Sequence, residues 1–317
     1  MMLSVWMITF NHEEFIAGAI ESVLMQNTNF TFELIIGEDC SADRTRKIVK
    51  AYKEACPDRI RLFLPDKNLG MTAMGKATYE LCTGRYVARL DGDDLWTDPY
   101  KLQKQVDFLE ANPDFSFCFH RVSRLDLMAN TLLDSVDPLY KHPDDSLTTE
   151  HFLKKHNPVY TSSIVYRNVV GPLPNWFYSL PWPDWSFYFF LLNHGKAKYL
   201  KENMGCYRIH RDAVYSGETE YVNNLKTILF FKLLKRHAGN LNKKSIRQTI
   251  AQLYYQLFKT DGTTAAFRAA VVHFFFLAYY QPGLALQHRQ FLFKSLLKLA
   301  LRYPLGLYQS YSKGKSL

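Results

Sequence analysis

Residues 86–113, YVARLDGDDLWTDPYKLQKQVDFLEANP, carry one full unit of an alternating fold. Tyr86–Leu90 is a short apolar run of the kind that forms a buried strand. Asp91-Gly92-Asp93-Asp94 follows it as a tight acidic turn. Asp98-Pro99 then opens a helix, a capping residue followed by proline at the first helical position. Leu102, Val106 and Leu109 recur on one face of that helix, which stops at Asn112-Pro113.

The same unit repeats on either side. Leu3–Thr9, Glu33–Gly37, Ile60–Leu64 and Phe115–Phe119 also read as buried strands. A first helix is expected from Asn11, with Glu14 closing a capping box and Phe15, Ile16, Ala19, Ile20, Val23 and Leu24 on one face. Ser41 or Asp43 would cap a second, and a third would run from Gly70 to Thr83-Gly84. Strand alternating with helix predicts an α/β protein, a mostly parallel sheet with helices on both faces. Ligands of such sheets bind beyond the carboxyl ends of the strands. Those ends are Thr9-Phe10-Asn11-His12, Glu38-Asp39-Cys40-Ser41, Asp66-Lys67-Asn68 and Asp91-Gly92-Asp93-Asp94, and three of the four carry acids.

Residues 121–160 read as a polar, loop-rich excursion, after which Ser162–Tyr166 resumes as a strand. From about 218 the chain reads as helical. Residues 223–317 hold 15 of the 39 basic residues and one acid, Asp261, so that segment carries +14 while the remainder carries −5. The expected organisation is therefore a domain over 1–217, with halves of about 1–120 and 121–217, and a basic helical region over 218–317. Such a charge split suits an anionic partner for the second region, and no nucleic-acid-binding module accompanies it. Five cysteines without paired spacing read as reduced thiols. The N-terminus lacks a basic leader, and no stretch reaches the roughly 18 apolar residues of a spanning helix, so a cytoplasmic protein is expected.

Three carboxylates on one turn repel each other unless a cation offsets them. Oxygen ligands favour Mg²⁺ or Mn²⁺, which use one or two protein carboxylates and fill their remaining positions with phosphate and water. A solvated acidic turn is the simpler reading of the same residues. Position after the fourth strand favours the cation.

Taken together, TFNHEEFIAGAIESVLMQ, FELIIGEDCSADRT, NLGMTAMGKATYELCTGRY, ARLDGDDLWTDPYKLQKQVDFLEANP and PWPDWSFYFFLLNHGKAKYLKENMGCYRIHRDAVYSG resemble the family 2 glycosyltransferases in order and spacing. These are inverting enzymes of the GT-A fold, and the similarity is strongest to bacterial members that build surface polysaccharides. It covers roughly residues 1–217.

The resemblance implies roles residue by residue. Thr9 and Asn11 would line the nucleotide base, and Asp39 would contact base or ribose, in a chain with Glu38-Asp39 where the family more often has two Asp. Asn68 belongs with these donor-contacting residues. Asp91 and Asp93 match the DxD pair, with Asp93 and then Asp91 as metal ligands and Asp94 as a supporting or sugar-contacting carboxylate; His210, in Tyr207-Arg208-Ile209-His210, matches a late motif whose His completes the metal site or touches the diphosphate, the simpler alternative being a hydrogen-bonded loop histidine. Asp184 matches the catalytic base, with Pro183 where the family often has a preceding acid. Many relatives have Arg and Asn where this chain has Gly75 and Lys76.

Trp176, Trp182 and Trp185 suit sugar stacking or core packing equally, whereas Trp96 reads as packing beside the metal turn. Cys118 and His120 share a strand face but lack a second ligand pair for zinc. Lys294, Lys298 and Arg302 recur every four residues in a tail that could lie on an anionic bilayer, pack as a bundle or form a dimer interface.

The expected function is a metal-dependent (Mn²⁺ or Mg²⁺) inverting transfer from a nucleoside-diphosphate sugar, a UDP-sugar by default. The acceptor would be a glycan or a lipid-linked hydroxyl in bacterial surface-polysaccharide assembly, at the inner face of the cytoplasmic membrane. The rival is a non-catalytic nucleotide-sugar binder or assembly scaffold of the same fold. A nucleotidyltransferase would need a Gly-rich phosphate loop near the N-terminus, which this sequence lacks.

Overall fold

A computed structural model describes residues 1–133, 145–154, 157, 159–171, 173–211, 218–237, 241–260, 275–280 and 283. Chain contacts divide into two compact units, 1–152 with 156–217, and 153–155 with 218–317.

The first unit is built on one mixed sheet. Its strands are β1 (Leu3–Thr9), β2 (Phe32–Glu38), β3 (Ile60–Phe63), β4 (Tyr86–Arg89), β5 (Leu95–Trp96), β6 (Phe115–Asp126), β7 (Thr131–Leu133), β8 (Ser146–Leu147), β9 (Val165–Arg167) and β10 (Lys196–Ile209). They lie in the order β3-β2-β1-β4-β9-β6-β10-β5, with β7 on β6 and β8 on β10. The β3-β2-β1-β4 half is parallel throughout. β9 runs antiparallel to both β4 and β6, and β6 pairs with β10 in parallel.

Side chains alternate across β1, and the two faces receive different helices. Leu3, Val5 and Met7 are fully buried with Ile16, Ala19, Ile20 and Val23 of α1 (Ile16–Leu24), Val49 of α2 (Thr45–Ala55) and Leu102, Val106 and Leu109 of α4 (Lys101–Ala111). On the opposite face, α3 (Met71–Tyr79) comes so close to β2 that a Cβ on Gly37 would lie 2.1 Å from Thr78 Oγ1. Only glycine fits there. The same face carries α6 (Pro183–Leu191), whose Phe187 packs edge-on against Tyr79 and Tyr166.

Several local expectations are corrected. The first helix starts at Ile16, not Asn11, and Phe15 at its N-cap makes no side-chain capping bond. Asn11 instead adopts a left-handed backbone (φ 54°), and its Oδ1 accepts the Ala42 N–H at 3.0 Å. Asp43 does serve the start of α2, its Oδ1 accepting the Thr45 N–H. The third helix ends at Tyr79. The polar stretch after Phe119 is not a loop at its start, because β6 continues to Asp126 against β10. Thr161–Ser163 is a 3₁₀ turn, and the strand begins only at Val165. α5 (Thr149–Phe152) is a single turn.

The second unit holds α7 (Glu220–His237) and α8 (Lys243–Thr260), with Ile228, Phe230, Phe231 and Leu234 of α7 buried and Ile246, Ile250, Leu253 and Leu257 of α8 buried. The basic repeat at Lys294, Lys298 and Arg302 lies outside the described residues.

Candidate active site

Strand ends on the carboxyl side of the parallel half form the site. β1 ends in Thr9, and the chain turns through Asn11 and His12. Its partner turn after β2 is locked to it: the Asn11 N–H donates to Ser41 Oγ at 2.9 Å, and the His12 N–H donates to Thr45 Oγ1 at 2.9 Å. Cys40 is also left-handed (φ 56°). Strained backbone of this kind persists where surrounding contacts over-determine it.

The acidic turn follows β4. Gly92 lies against Thr9, where a Cβ would meet Thr9 Oγ1 at 2.5 Å, so the turn can pack here only without a side chain. Its three carboxylates point to three different partners. Asp91 faces back along the strand to Arg89, Oδ1 lying 3.4 Å from the guanidinium. Asp94 is buried and accepts the backbone N–H of Arg208 at 3.0 Å. Asp93 faces the end of β10, where His210 Nε2 lies 3.1 Å from its Oδ2. His12 Nε2 lies 3.8 Å from the same oxygen.

Divergent placement gives the carboxylates different acidities. Burial raises the Asp91 carboxyl, opposed by Arg89. Burial, reinforced by the charge on Asp93, pushes Asp94 well above the usual carboxylate range. For Asp93 burial acts in the same upward direction, but the His210 hydrogen bond and the neighbouring imidazoles outweigh it and lower its pKa. Burial lowers His12, favouring the neutral ring that can ligate a metal.

His12, Asp93 and His210 bring three ligand atoms within 4.8 Å of one another, the one such group among the described residues. Thr9 Oγ1 lies 3.2 Å from His12 Nδ1 and orients the ring so that Nε2 is turned to Asp93. Two imidazoles and a carboxylate suit a first-row transition ion such as Mn²⁺ better than Mg²⁺, which prefers all-oxygen sites. Asp93 and His210 thus come together as the sequence suggests, while Asp91 stands outside the cluster, turned to Arg89. His12 lies in the first strand-end loop, but its sequence context assigned it no role. Arg208 was likewise missed. Its guanidinium donates to the Asp93, Asp94 and Phe15 carbonyls and ties β10 to the acidic turn.

Asp39 and Asn68 also meet. The Asp39 carboxylate accepts the Leu69 and Gly70 N–H groups at 2.7 and 2.9 Å, and Asn68 Nδ2 donates to the Asp39 carbonyl. Each carboxylate oxygen keeps a further lone pair. Glu38 is buried and turned inward, accepting the Ser41 N–H and the Arg46 side chain.

Asp184 stands in the first turn of α6, with Pro183 at its start. Asn157 Nδ2 donates to its Oδ2 at 2.9 Å. Burial raises its carboxyl, opposed by Arg89 and by N–H groups at the helix start. Asp184 and Arg89 line a common cavity. Of the tryptophans, Trp185 is core, its Nε1 donating to the Phe152 carbonyl, and Trp96 is buried behind the acidic turn with Nε1 on the Ser162 carbonyl. Trp176 and Trp182 are half-buried. His120 is buried with Nδ1 at the Arg121 carbonyl, and Cys118 is buried beside Gln105.

The model of glycosyl transferase family 2 matches residues 4–170, and the chain belongs to that family. An uncharacterised protein of Mycobacterium tuberculosis is 31% identical over 219 residues, 67% of this chain and 60% of the relative. A putative teichuronic acid biosynthesis glycosyltransferase of Bacillus subtilis, TuaG, is 35% identical over 154 residues, 48% of this chain and 57% of the relative. The chain thus spans about 60% of the length of the mycobacterial relative. In fold it is similar to TarS of S. aureus, with a TM-score of 0.61 at 16% identity over 94% of this chain and 88% of that one. A mannosyltransferase of Pyrobaculum calidifontis gives a TM-score of 0.56 at 15% identity, over 94% and 86%. This is the GT-A arrangement: a mostly parallel mixed sheet with helices on both faces, followed by C-terminal helices.

Proposed function

We propose that this chain transfers a sugar from a nucleoside diphosphate, UDP by first choice, to a hydroxyl of a glycan or lipid-linked acceptor in surface-polysaccharide assembly, with inversion at the anomeric carbon. The observation that carries the reading is the convergence of Asp93, His12 and His210 at the strand ends, together with a separate, half-buried carboxylate, Asp184. Names of relatives support the setting: teichuronic acid biosynthesis for TuaG, and for an Escherichia coli relative, 31% identical over 118 residues, glucosyl transfer from UDP-Glc to a diphosphoundecaprenol-linked sugar. Neighbours in fold were solved with UDP, with UDP-GlcNAc and with GDP-Man and Mn²⁺.

In this reading His12, Asp93 and His210 would hold a divalent cation, and that cation would supply positive charge against the charge developing on the departing nucleoside diphosphate. Asp39 and Asn68 order the loop entering α3, against which the nucleotide is placed. Thr9 and Asn11 form the opposing wall. Asp94, bonded to the Arg208 N–H, holds the acidic turn from below.

Asp184 takes the proton of the acceptor hydroxyl as that oxygen attacks the anomeric carbon from the face opposite the diphosphate. Its raised pKa makes it a stronger base than an exposed Asp. Arg89 opposes that rise. A single displacement needs no covalent sugar–enzyme bond, unlike the paired-carboxylate retaining hydrolases.

The second unit, taken as a separate region beginning near 218, is proposed to rest on an anionic membrane surface. Val222, Leu225 and Leu229 of α7 are exposed, and Lys235 and Arg236 lie in its last turn. Among the described residues no helix is long and apolar enough to cross a membrane. Co-sedimentation with vesicles containing phosphatidylglycerol, against phosphatidylcholine alone, tests this. Equal recovery with both would remove the membrane from the account.

Transfer itself is tested by incubating the protein with Mn²⁺, a UDP-sugar and a lipid-linked sugar acceptor. The wild type is expected to release UDP and extend the acceptor, and Asp184→Asn to do neither. Tight UDP-sugar binding without turnover across acceptors would favour the scaffold reading.

A further inference from the structure

Asp184 is held by a side chain from a distant part of the sequence. Asn157 lies 27 residues earlier, and its Nδ2 donates to Asp184 Oδ2 at 2.9 Å. The other end of the same amide is also held, because the Val159 N–H donates to Asn157 Oδ1 at 3.1 Å. That second bond decides which way the amide faces. Flipped, it would set its NH₂ against the Val159 N–H and its carbonyl against the carboxylate, and both bonds would be lost.

A carboxylate is planar, so a partner fixed at one oxygen limits its rotation and places the other oxygen as well. Proton transfer needs that oxygen within hydrogen-bond reach of the acceptor hydroxyl. The chemistry of the partner matters too. A second acid would repel Asp184, and a second cation beside Arg89 would stabilise the ionised form until it lost strength as a base. A neutral amide orients the carboxylate at a smaller cost in basicity. The titratable groups that surround Asp184 have other partners or no charge. Arg89 on β4 acts on both Asp184 and Asp91, lying 3.4 Å from Asp91, and Lys76 on α3 pairs with Glu80 at 4.0 Å. Tyr79 on α3, Tyr166 on β9, Tyr178 before α6 and Tyr188 on α6 line the same cavity as Asp184, and burial raises all four phenols, which stay neutral.

We propose that Asn157 is a positioning residue for the base: its amide sets the rotation of the Asp184 carboxylate so that one oxygen meets the acceptor hydroxyl. The inference rests on the assignment of Asp184 as the base, and the test separates the two.

Aspartate carboxyl carbons labelled with ¹³C are titrated by NMR in the full chain, the Asp184 signal being the one missing from Asp184→Asn. Loss of a donor to the ionised form raises a pKa, so Asp184 should titrate at higher pH in Asn157→Ala than in the wild type, and at higher pH still in the isosteric Asn157→Asp, which adds a like charge. In Mn²⁺, UDP release from UDP-glucose and UDP-N-acetylglucosamine is followed with water or a lipid-linked sugar as acceptor. In both variants kcat should fall about ten- to a hundredfold, its acid limb should move to higher pH, and KM for the sugar nucleotide should stay at the wild-type value. Wild-type UDP affinity reports intact folding. An Asp184 titration unmoved by both substitutions, or a loss equal at all pH values with a raised KM, overturns the positioning role and leaves the base standing. UDP release at the wild-type rate in Asp184→Asn overturns the base, and the role of Asn157 with it.

Discussion

Asp93 Oδ2 lies 3.1 Å from His210 Nε2, joining a turn after the fourth strand to the end of the tenth across 117 residues of chain. His12 approaches the same oxygen at 3.8 Å from a third strand end. Mn²⁺ titrated into the nucleotide-free protein, followed by electron paramagnetic resonance, should therefore bind at this point. His12→Ala and His210→Ala should each weaken the ion by at least about tenfold, the scale on which even outer partners of metal ligands act. Mn²⁺ affinity indifferent to His12 would return that residue to a purely structural role.

Asp184→Asn should lower the transfer rate by roughly 10²–10⁴, the range of general-base contributions. Nucleotide affinity should remain near the wild-type value, because Asp184 lies outside the His12–Asp93–His210 cluster. The same variant should be at least as stable at neutral pH. Burial raises the Asp184 pKa in the folded state, so its ionised form destabilises the fold above the unfolded pKa, and that cost disappears when Asn replaces it. Thermal unfolding at pH 7 reads this directly; a marked loss of stability would mean that the charge is needed for folding.

Arg89 opposes the burial of Asp184 and so holds its pKa down. Arg89→Met should move the acid limb of the rate profile to higher pH, since more of the base is then protonated at any given pH. The rate at high pH should fall less than the rate at pH 6. A uniform loss at all pH values would assign Arg89 to packing over Trp6, whose ring it covers at 4.6 Å.

Gly92→Ala places a methyl 2.5 Å from Thr9 Oγ1 and 3.1 Å from Ile16 Cδ1. The acidic turn must shift to admit it, at a cost of about 1–3 kcal/mol measured by urea unfolding. Mn²⁺ affinity should fall with it, because Asp93 is the next residue. Wild-type stability and wild-type Mn²⁺ binding together would show that the turn is looser than its packing suggests.

Much of this architecture is legible from hydrophobic period alone. Leu3–Thr9 is a strand with the bounds its apolar run suggests, and the helix after Asp98-Pro99 ends at Ala111, just before Asn112-Pro113. Local signals misled where a side chain had a better partner far away. Asn11 and Glu14 have the spacing of a capping box, yet Asn11 bonds to Ala42 of another loop, and the helix starts five residues later. β6 runs on through polar residues because its backbone stays paired with β10 to Asp126, a partner that lies some 80 residues on and leaves no apolar pattern to read. The site divides the same way. Asp93 stands out because like charges on a turn call for a cation, whereas His12 gains its place only when β10 brings His210 across the sheet.

The central claim is that the strand-end cluster makes nucleotide binding depend on a divalent cation. Calorimetric titration of the protein with UDP, once with Mn²⁺ and once with EDTA, tests it most directly. The account predicts binding with Mn²⁺ that is lost with EDTA and lost again with Mn²⁺ in Asp93→Ala. Equal UDP affinity with and without the ion, undiminished in Asp93→Ala, would contradict it.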